Sequence, residues 1–286
     1  MLNILIGLSA VSLALATGFN ETLAKEKFLV LAESAYTDWP EKCLKKNFGE
    51  ANVTKTVTTK CGTKLGEWRV CYGYTGVSHK EKAVFLAYRG TISGIQLFYE
   101  VARTAFVKEV DAKIGGKVAA YFYTVYNNLR KGGLNAEFVR LTKAFPGYDV
   151  WISGHSLGGA LASIATAEAI KVDGIKGDKV KLITFGEPRT GDAAYSKRYD
   201  DIVKYGYRVI NSGDIVAQVP PKDFKGYAHH KTEVWYPHGM SKGSKYQVYT
   251  ENESAKGFNS RAPLNSVSDH MKYYGKLLVQ YRLTGC

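Results

Sequence analysis

Tyr148-Asp149-Val150-Trp151-Ile152-Ser153-Gly154-His155-Ser156-Leu157-Gly158-Gly159-Ala160-Leu161-Ala162 is the stretch whose reading decides the fold. Its first residues read as a short strand, and the Ala-rich run 157–170 reads as a helix. Between them, Gly154-His155-Ser156-Leu157-Gly158 matches the pattern G-x-S-x-G. A strand that turns straight into a helix strains the middle residue, and side chains two positions either side would collide. Gly154 and Gly158 remove those side chains, and Gly159 and Ala160 let the helix lie close to the sheet. Ser156 would then project its hydroxyl above the sheet edge. The pattern alone is weak, since a chain with 29 glycines meets it easily by chance. The competing reading is a Gly-rich turn in which Ser156 merely caps a helix. The flanking strand and helix favour a nucleophile elbow.

Working outward, the chain alternates strands and helices. Residues 21–36 read as a first helix, followed by a strand pair near 53–60 and 68–74. The run 83–88 (Ala-Val-Phe-Leu-Ala-Tyr) suits a buried strand. Residues 95–106 place Ile95, Phe98, Ala102 and Phe106 on one side and Gln96, Glu100 and Arg103 between them, an amphipathic helix. Helices follow at 118–131 and 136–145, then the strand and helix around Ser156. Strand 180–185, helix 194–204 and strand 207–211 complete the pattern. Strands alternating with helices predict an α/β fold with a mostly parallel central sheet flanked by helices. Such sheets place their chemistry at the carboxyl ends of the strands.

With 286 residues, 45% of them hydrophobic and 23% charged, the chain is long enough for one large α/β domain with its own core. Disordered, collagen-like and coiled-coil classes are excluded on composition. Its net charge of +13 suits contact with anionic surfaces, although no basic helix or recognition module points to nucleic acid. The first 18 residues carry no charged side chain, and Ala14-Leu15-Ala16 offers the small residues a signal peptidase reads. Residues 1–16 therefore read as a secretory signal, leaving a soluble domain over 17–286. Four cysteines, Cys43, Cys61, Cys71 and Cys286, form an even count suited to two disulfides, with three connectivities open. Their spacing does not suit zinc. Sequons at Asn20, Asn52 and Asn252 fit a secreted glycoprotein.

A nucleophilic serine needs a base, and the base needs an acid to hold its tautomer. In α/β-hydrolase order the acid comes next and the histidine last. The histidines after Ser156 are His229, His230, His238 and His270. His229-His230 reads as surface or structural polar packing, and a metal site from His229, His230 and His238 lacks carboxylate or cysteine ligands at suitable spacing. Asp200 and Asp201 fall within an amphipathic helix and read as solvated. Asp214 follows strand 207–211 and Ser212-Gly213, so it lies at a strand's carboxyl end. His270 stands at a loop-to-helix boundary after Ser266-Val267-Ser268-Asp269.

At these residues the chain resembles the class 3 lipases, the family of filamentous-fungal triacylglycerol lipases with secreted nematode members. The resemblance runs from about Glu21 to the C-terminus. It rests on Tyr88-Arg89-Gly90-Thr91, Gly154-His155-Ser156-Leu157-Gly158-Gly159, Phe185-Gly186-Glu187-Pro188-Arg189-Thr190-Gly191, Asn211-Ser212-Gly213-Asp214-Ile215-Val216 through Pro220-Pro221, and Asp269-His270-Met271-Lys272-Tyr273-Tyr274. It implies an α/β-hydrolase fold with Ser156 as nucleophile, Asp214 as orienting acid and His270 as base. It also implies an oxyanion hole from the backbone N–H groups of Leu157 and Thr91, and a lid over the groove carrying Ile95, Phe98, Ala102 and Phe106. No metal or organic cofactor is implied. Where the family often has V-H-x-G-F, this chain has Val118-Ala119-Ala120-Tyr121-Phe122, which alters the substrate groove but not the triad. Cys61 and Cys71 flank a stretch that reads as a hairpin turn. Together with the family's habit of tying its first helix to the C-terminus, this leads us to expect Cys61–Cys71 and Cys43–Cys286.

The expected activity is hydrolysis of triacylglycerol or a related glycerolipid through an acyl-enzyme, by a secreted monomer that touches a lipid–water interface reversibly. A phospholipase A-type or feruloyl-type esterase, or a non-catalytic lipid-binding protein, are the alternatives.

Overall fold

A computed structural model of the chain describes residues 18–60, 70–91, 106–261, 266–278, 280–284 and 286. Residues 1–16, Cys61, Ile95, Phe98 and Ala102 lie outside the described residues. The first helix, α1, covers 21–34 and contains one π-helical turn, Ala24–Phe28. Next come α2 (Pro40–Phe48) and three strands, β1 (Asn52–Lys60), β2 (Val70–Ser78) and β3 (Ala83–Tyr88). Short strands β4 (Glu109–Asp111) and β5 (Lys117–Ala119) precede α3 (Ala120–Lys131) and α4 (Leu134–Ala144). The elbow joins β6 (Asp149–His155) to α5 (Leu157–Lys171). Then follow β7 (Val180–Phe185), β8 (Gly191–Asp192), α6 (Ala193–Ile202) and β9 (Gly206–Asn211). Next come β10 (Tyr227–Ala228), β11 (Glu233–Tyr236), β12 (Gln247–Tyr249) and α7 (Val267–Met271), then the paired strands Lys272–Tyr273 and Lys276–Leu277 and a last short helix, Gln280–Thr284.

Eight strands form the main sheet in the order β1-β2-β3-β6-β7-β9-β11-β12. Strands β3, β6, β7, β9 and β11 run parallel, and antiparallel pairs close both edges. This is the mostly parallel α/β sheet that the alternation of elements predicts. Helices cover both faces, so a central strand must be apolar on both sides. In β3, Val84, Leu86 and Tyr88 join the core under α3, α4 and α5, whereas Ala83, Phe85 and Ala87 join the core under α1. Helix α5 is buried along residues 157–169, which explains why its sequence is apolar all round rather than striped. The single acid in that run, Glu168, accepts from Lys113 Nζ at 3.1 Å, Tyr123 OH at 2.9 Å and Tyr126 OH at 3.2 Å.

Several boundaries differ from the sequence expectation. Residues 118 and 119 belong to β5, not to α3, because Lys117–Ala119 pairs with β4 and Val118 with Gly191 of β8. Helix α2 is unforeseen, although Pro40 at its first position is a helix-start signal. Phe106 sits at a turn, not on a helix. It is buried edge-on against Phe122 and Tyr227, both at 5.5 Å between ring centroids, so it is fixed packing at the base of the segment expected as a lid. The disulfide Cys43–Cys286 is present, with Cα atoms 5.4 Å apart. Cys71 is also disulfide-bonded.

The C-terminal segment also closes over a carboxyl group. Glu33 of α1 has no exposed surface and meets the Lys276 ammonium at 3.5 Å. Burial raises its pKa to about 7, against the opposing pull of Lys276. A raised carboxyl favours the protonated folded state, so its contribution is full below the unfolded value near 4.5 and falls as pH rises to about 7. The loss is on the order of 3 kcal/mol. Glu33→Gln removes this proton linkage, and Lys276 can turn to water. Thermal unfolding should show the variant more stable than the wild type at pH ~8, with the advantage fading at pH ~5. A constant difference across that range would contradict the burial argument.

Candidate active site

Ser156 occupies φ 60°, ψ −130°, a left-handed conformation that a residue with a Cβ seldom adopts. The turn is held from both ends. Ser156 N–H donates to Phe185 O at 3.0 Å, and Ser156 O accepts from Gly159 N–H at 2.9 Å. A Cβ on Gly154 would stand 2.1 Å from Gly158 O, and one on Gly158 would stand 2.2 Å from Tyr88 O. The two glycines of the pattern are therefore places where backbone meets backbone. Gly90 runs alongside the elbow, with its Cβ position 3.0 Å from Ser156 Cβ, which brings half-buried Thr91 to the same strand ends as Leu157.

Asp214 and His270 meet at those ends. Asp214 is fully buried, and His270 Nδ1 donates to its carboxylate, 2.9 Å from Oδ1 and 3.0 Å from Oδ2. Val216 N–H donates to Asp214 Oδ1 at 2.8 Å, and Tyr273 OH donates to Oδ2. The two loops that carry the pair are laced together. Ser266 N–H donates to Gly213 O at 2.9 Å, Gly213 N–H donates to Asp269 Oδ2 at 3.0 Å, and Asn211 Nδ2 donates to the carbonyls of Asp269 and Lys272. Ser266 caps α7 by accepting from Asp269 N–H, so the helix starts where His270 needs it. Gly186, at φ +57°, passes directly beneath: a Cβ there would stand 2.5 Å from Asp214 Oδ2 and 2.8 Å from His270 Nδ1.

The other candidates lie elsewhere. His229 is buried with Nε2 2.8 Å from Ala217 O, and His230 bonds Glu187 Oε1 at 3.0 Å while stacking on Tyr199. Of the two expectations, surface or structural packing, burial excludes the first for both residues. His238 is exposed. Asp200 accepts from Lys231 N–H at 3.0 Å, and Asp201 is exposed. Among the described residues, no group of three or more His, Cys, Asp or Glu side chains is placed to hold a metal.

Three contributors escaped the sequence reading. Tyr273, inside the block that carries His270, supplies a hydroxyl to Asp214; burial and that carboxylate raise its pKa well above 10. Arg189, 1% exposed, grips both oxygens of Glu253 and the carbonyls of Gln218 and Pro220, so it pins the loop that leaves Asp214. His155 packs its ring against that of His270, with centroids 4.4 Å apart. Its position next to Ser156 was the only signal.

Two substitutions probe this geometry. Gly186→Ala should lower ester hydrolysis about a hundredfold, since a methyl group displaces both the acid and the base. Tyr273→Phe keeps the ring and loses one donor to a charged group, so kcat should fall roughly tenfold with a near-normal fold. Steady-state rates on a short soluble ester, beside melting curves, check both. An unimpaired Gly186→Ala would contradict the crowding.

The class 3 lipase family profile matches residues 85–224. A lipase of Caenorhabditis elegans is 30% identical over 94% of this chain and 83% of its own. Lipases of Rhizomucor miehei and Rhizopus match at 31–32% identity, and this chain spans about half of their length. Two solved lipase structures, the first of them fungal, superpose closely. A lipase–inhibitor complex concerned with interfacial activation shares 26% identity, a TM-score of 0.75 and coverage of 88% and 93% of the two chains. A triacylglycerol lipase whose catalytic centre is a serine protease triad shares 25% identity, a TM-score of 0.74 and coverage of 87% and 92%. The chain, an α/β-hydrolase by its fold, belongs to the class 3 lipases.

Proposed function

We propose that the chain is an extracellular lipase that cleaves acylglycerol esters at a lipid surface, with Ser156, His270 and Asp214 as its triad. The observation that carries this reading is the doubly placed carboxylate. Asp214 lies within 3.0 Å of His270 Nδ1 through both oxygens, and the His270 ring stacks on His155, the neighbour of the strained Ser156. His270 takes the Ser156 proton through Nε2 as Oγ attacks the ester carbonyl. The carbonyl π electrons move to oxygen, and the N–H groups of Leu157 and Thr91 receive that charge. Collapse expels the alcohol, protonated by His270. Water then enters by the same route and releases the fatty acid. Asp214 keeps the proton on Nδ1 and stabilises the imidazolium.

Lipid as the substrate is supported by the relatives. Their names include a secreted mono- and diacylglycerol lipase of Malassezia restricta, which also supports an extracellular site of action. The reading extends to removal of residues 1–16, leaving one catalytic domain over 17–286, and to reversible contact with lipid of the segment that begins at Ile95 and stops short of the buried Phe106. Among the described residues, no helix is long and apolar enough to cross a membrane.

Rates on tributyrin measured through its solubility limit provide the test. The wild type should show a break upward where droplets form, and Ser156→Ala should lose activity by about a millionfold in both regimes. A smooth saturating curve would favour a plain esterase, and an active Ser156→Ala would remove the triad.

A further inference from the structure

Asp214 restrains the His270 ring only in its own plane, through Nδ1. The face of that ring meets a second imidazole. His155 stacks on it at 4.4 Å between centroids with 29° between planes, and both histidines are buried. The hydrogen bonds of His155 are closed at both nitrogens. Nε2 lies 2.9 Å from the backbone carbonyl of His270, which can only accept, so Nε2 carries the proton. Nδ1 is then a bare acceptor, and it lies 2.6 Å from Tyr36 OH, which donates. Tyr36 follows α1, whose successor α2 is tied to the chain end by Cys43–Cys286. Tyr273 closes the remaining side edge-on, 5.9 Å from the His155 ring. The buried surroundings and the neighbouring His270 hold the basicity of His155 well below its usual value.

We infer that His155 is a positioning residue for the base, a single-tautomer imidazole that fixes the backbone of His270 through Nε2–H and its ring plane through stacking, with Tyr36 donating to Nδ1 and closing that nitrogen to a second proton. The inference rests on the triad reading above. A histidine held at one edge can still tilt about its Cβ–Cγ bond, which swings Nε2 away from the serine. A ring stacked on its face removes that freedom. Because only His270 takes up charge during acyl transfer, its neighbour must stay uncharged, and a tyrosine hydroxyl pointed at Nδ1 occupies the site where a second proton would go.

The full chain tests this with three variants. His155→Leu removes both contacts and should lower kcat on p-nitrophenyl butyrate about a hundredfold, with KM within about twofold of the wild type. His155→Gln can donate to His270 O and accept from Tyr36, and it should regain about tenfold of that loss. Two-bond proton–nitrogen spectra of the wild type should show His155 protonated at Nε2 alone from about pH 5 to about pH 9. Tyr36→Phe uncovers Nδ1 and should let His155 begin to take up a second proton toward pH ~5 in the same spectra, the neutral form staying protonated at Nε2; this keeps the inference testable if the Leu variant does not fold, and a Phe variant with the wild-type profile overturns the role of Tyr36. A folded His155→Leu with kcat near the wild-type value, a Gln variant no better than Leu, or a titrating His155 in the wild type overturns it. Labelling of the wild type by a fluorophosphonate separates the two readings. Failure to label Ser156 refutes the triad, whereas normal labelling in both the wild type and the Leu variant refutes only the role of His155.

Discussion

Ser156 is held in a left-handed conformation, and the geometry of the site follows from that constraint. A residue with a Cβ gives up roughly 1–3 kcal/mol to stay there. It stays because the turn is over-determined. Its N–H is taken by β7, its carbonyl by the start of α5, and the strand and helix approach so closely that Gly154 and Gly158 are in backbone contact with their surroundings. Helix α5 can reach the sheet in this way because its residues are mostly small and apolar and are buried from Leu157 to Ala169. The strain at one residue is thus balanced by burial along a whole helix.

The acid and base are placed by a different principle. They lie 56 residues apart in sequence, Asp214 on the loop after β9 and His270 on the five-residue helix α7, and the two must be held together across that gap. Cross-loop hydrogen bonds take over that task, from Ser266 and Asp269 to Gly213 and from Asn211 to the backbone around α7. Arg189 adds a buried clamp on the segment downstream of Asp214. A polar network of this kind is stable inside a protein only when its members are satisfied, and the partners of Asp214 meet that condition from three directions.

The central sheet was legible in the sequence because its strands are apolar on both faces. The run from Ala83 to Tyr88 could hardly be anything else, and the elbow names itself by its glycines. The candidate triad was legible for a related reason, since strand ends are where such a sheet works and chain order leaves few choices. Strands β4 and β5 were not. Glu109, Asp111 and Lys117 carry no strand signature, and the pairing exists because β8 supplies a partner more than 70 residues away. Helix α2 has a mean polarity that hides its buried Cys43, Leu44 and Phe48. Tyr36 and His155 are 119 residues apart, and no local pattern in either segment announces that contact.

The Cys43–Cys286 bond has a topological meaning as well as an energetic one. Together with the backbone it closes residues 43 to 286 into a single covalent ring, with a sequence separation of 243. Most surface loops of the protein belong to that ring, including the turns around Gly174, Gly226 and Gly243. One cut by a protease in any of them opens the ring into a line without separating the pieces. Ser156, Asp214 and His270, the candidate triad, all sit on the ring, so a singly nicked molecule still keeps all three on one covalent body. Reduction is what divides such a molecule in two, so wherever thiols stay oxidised its integrity outlasts that of its peptide chain.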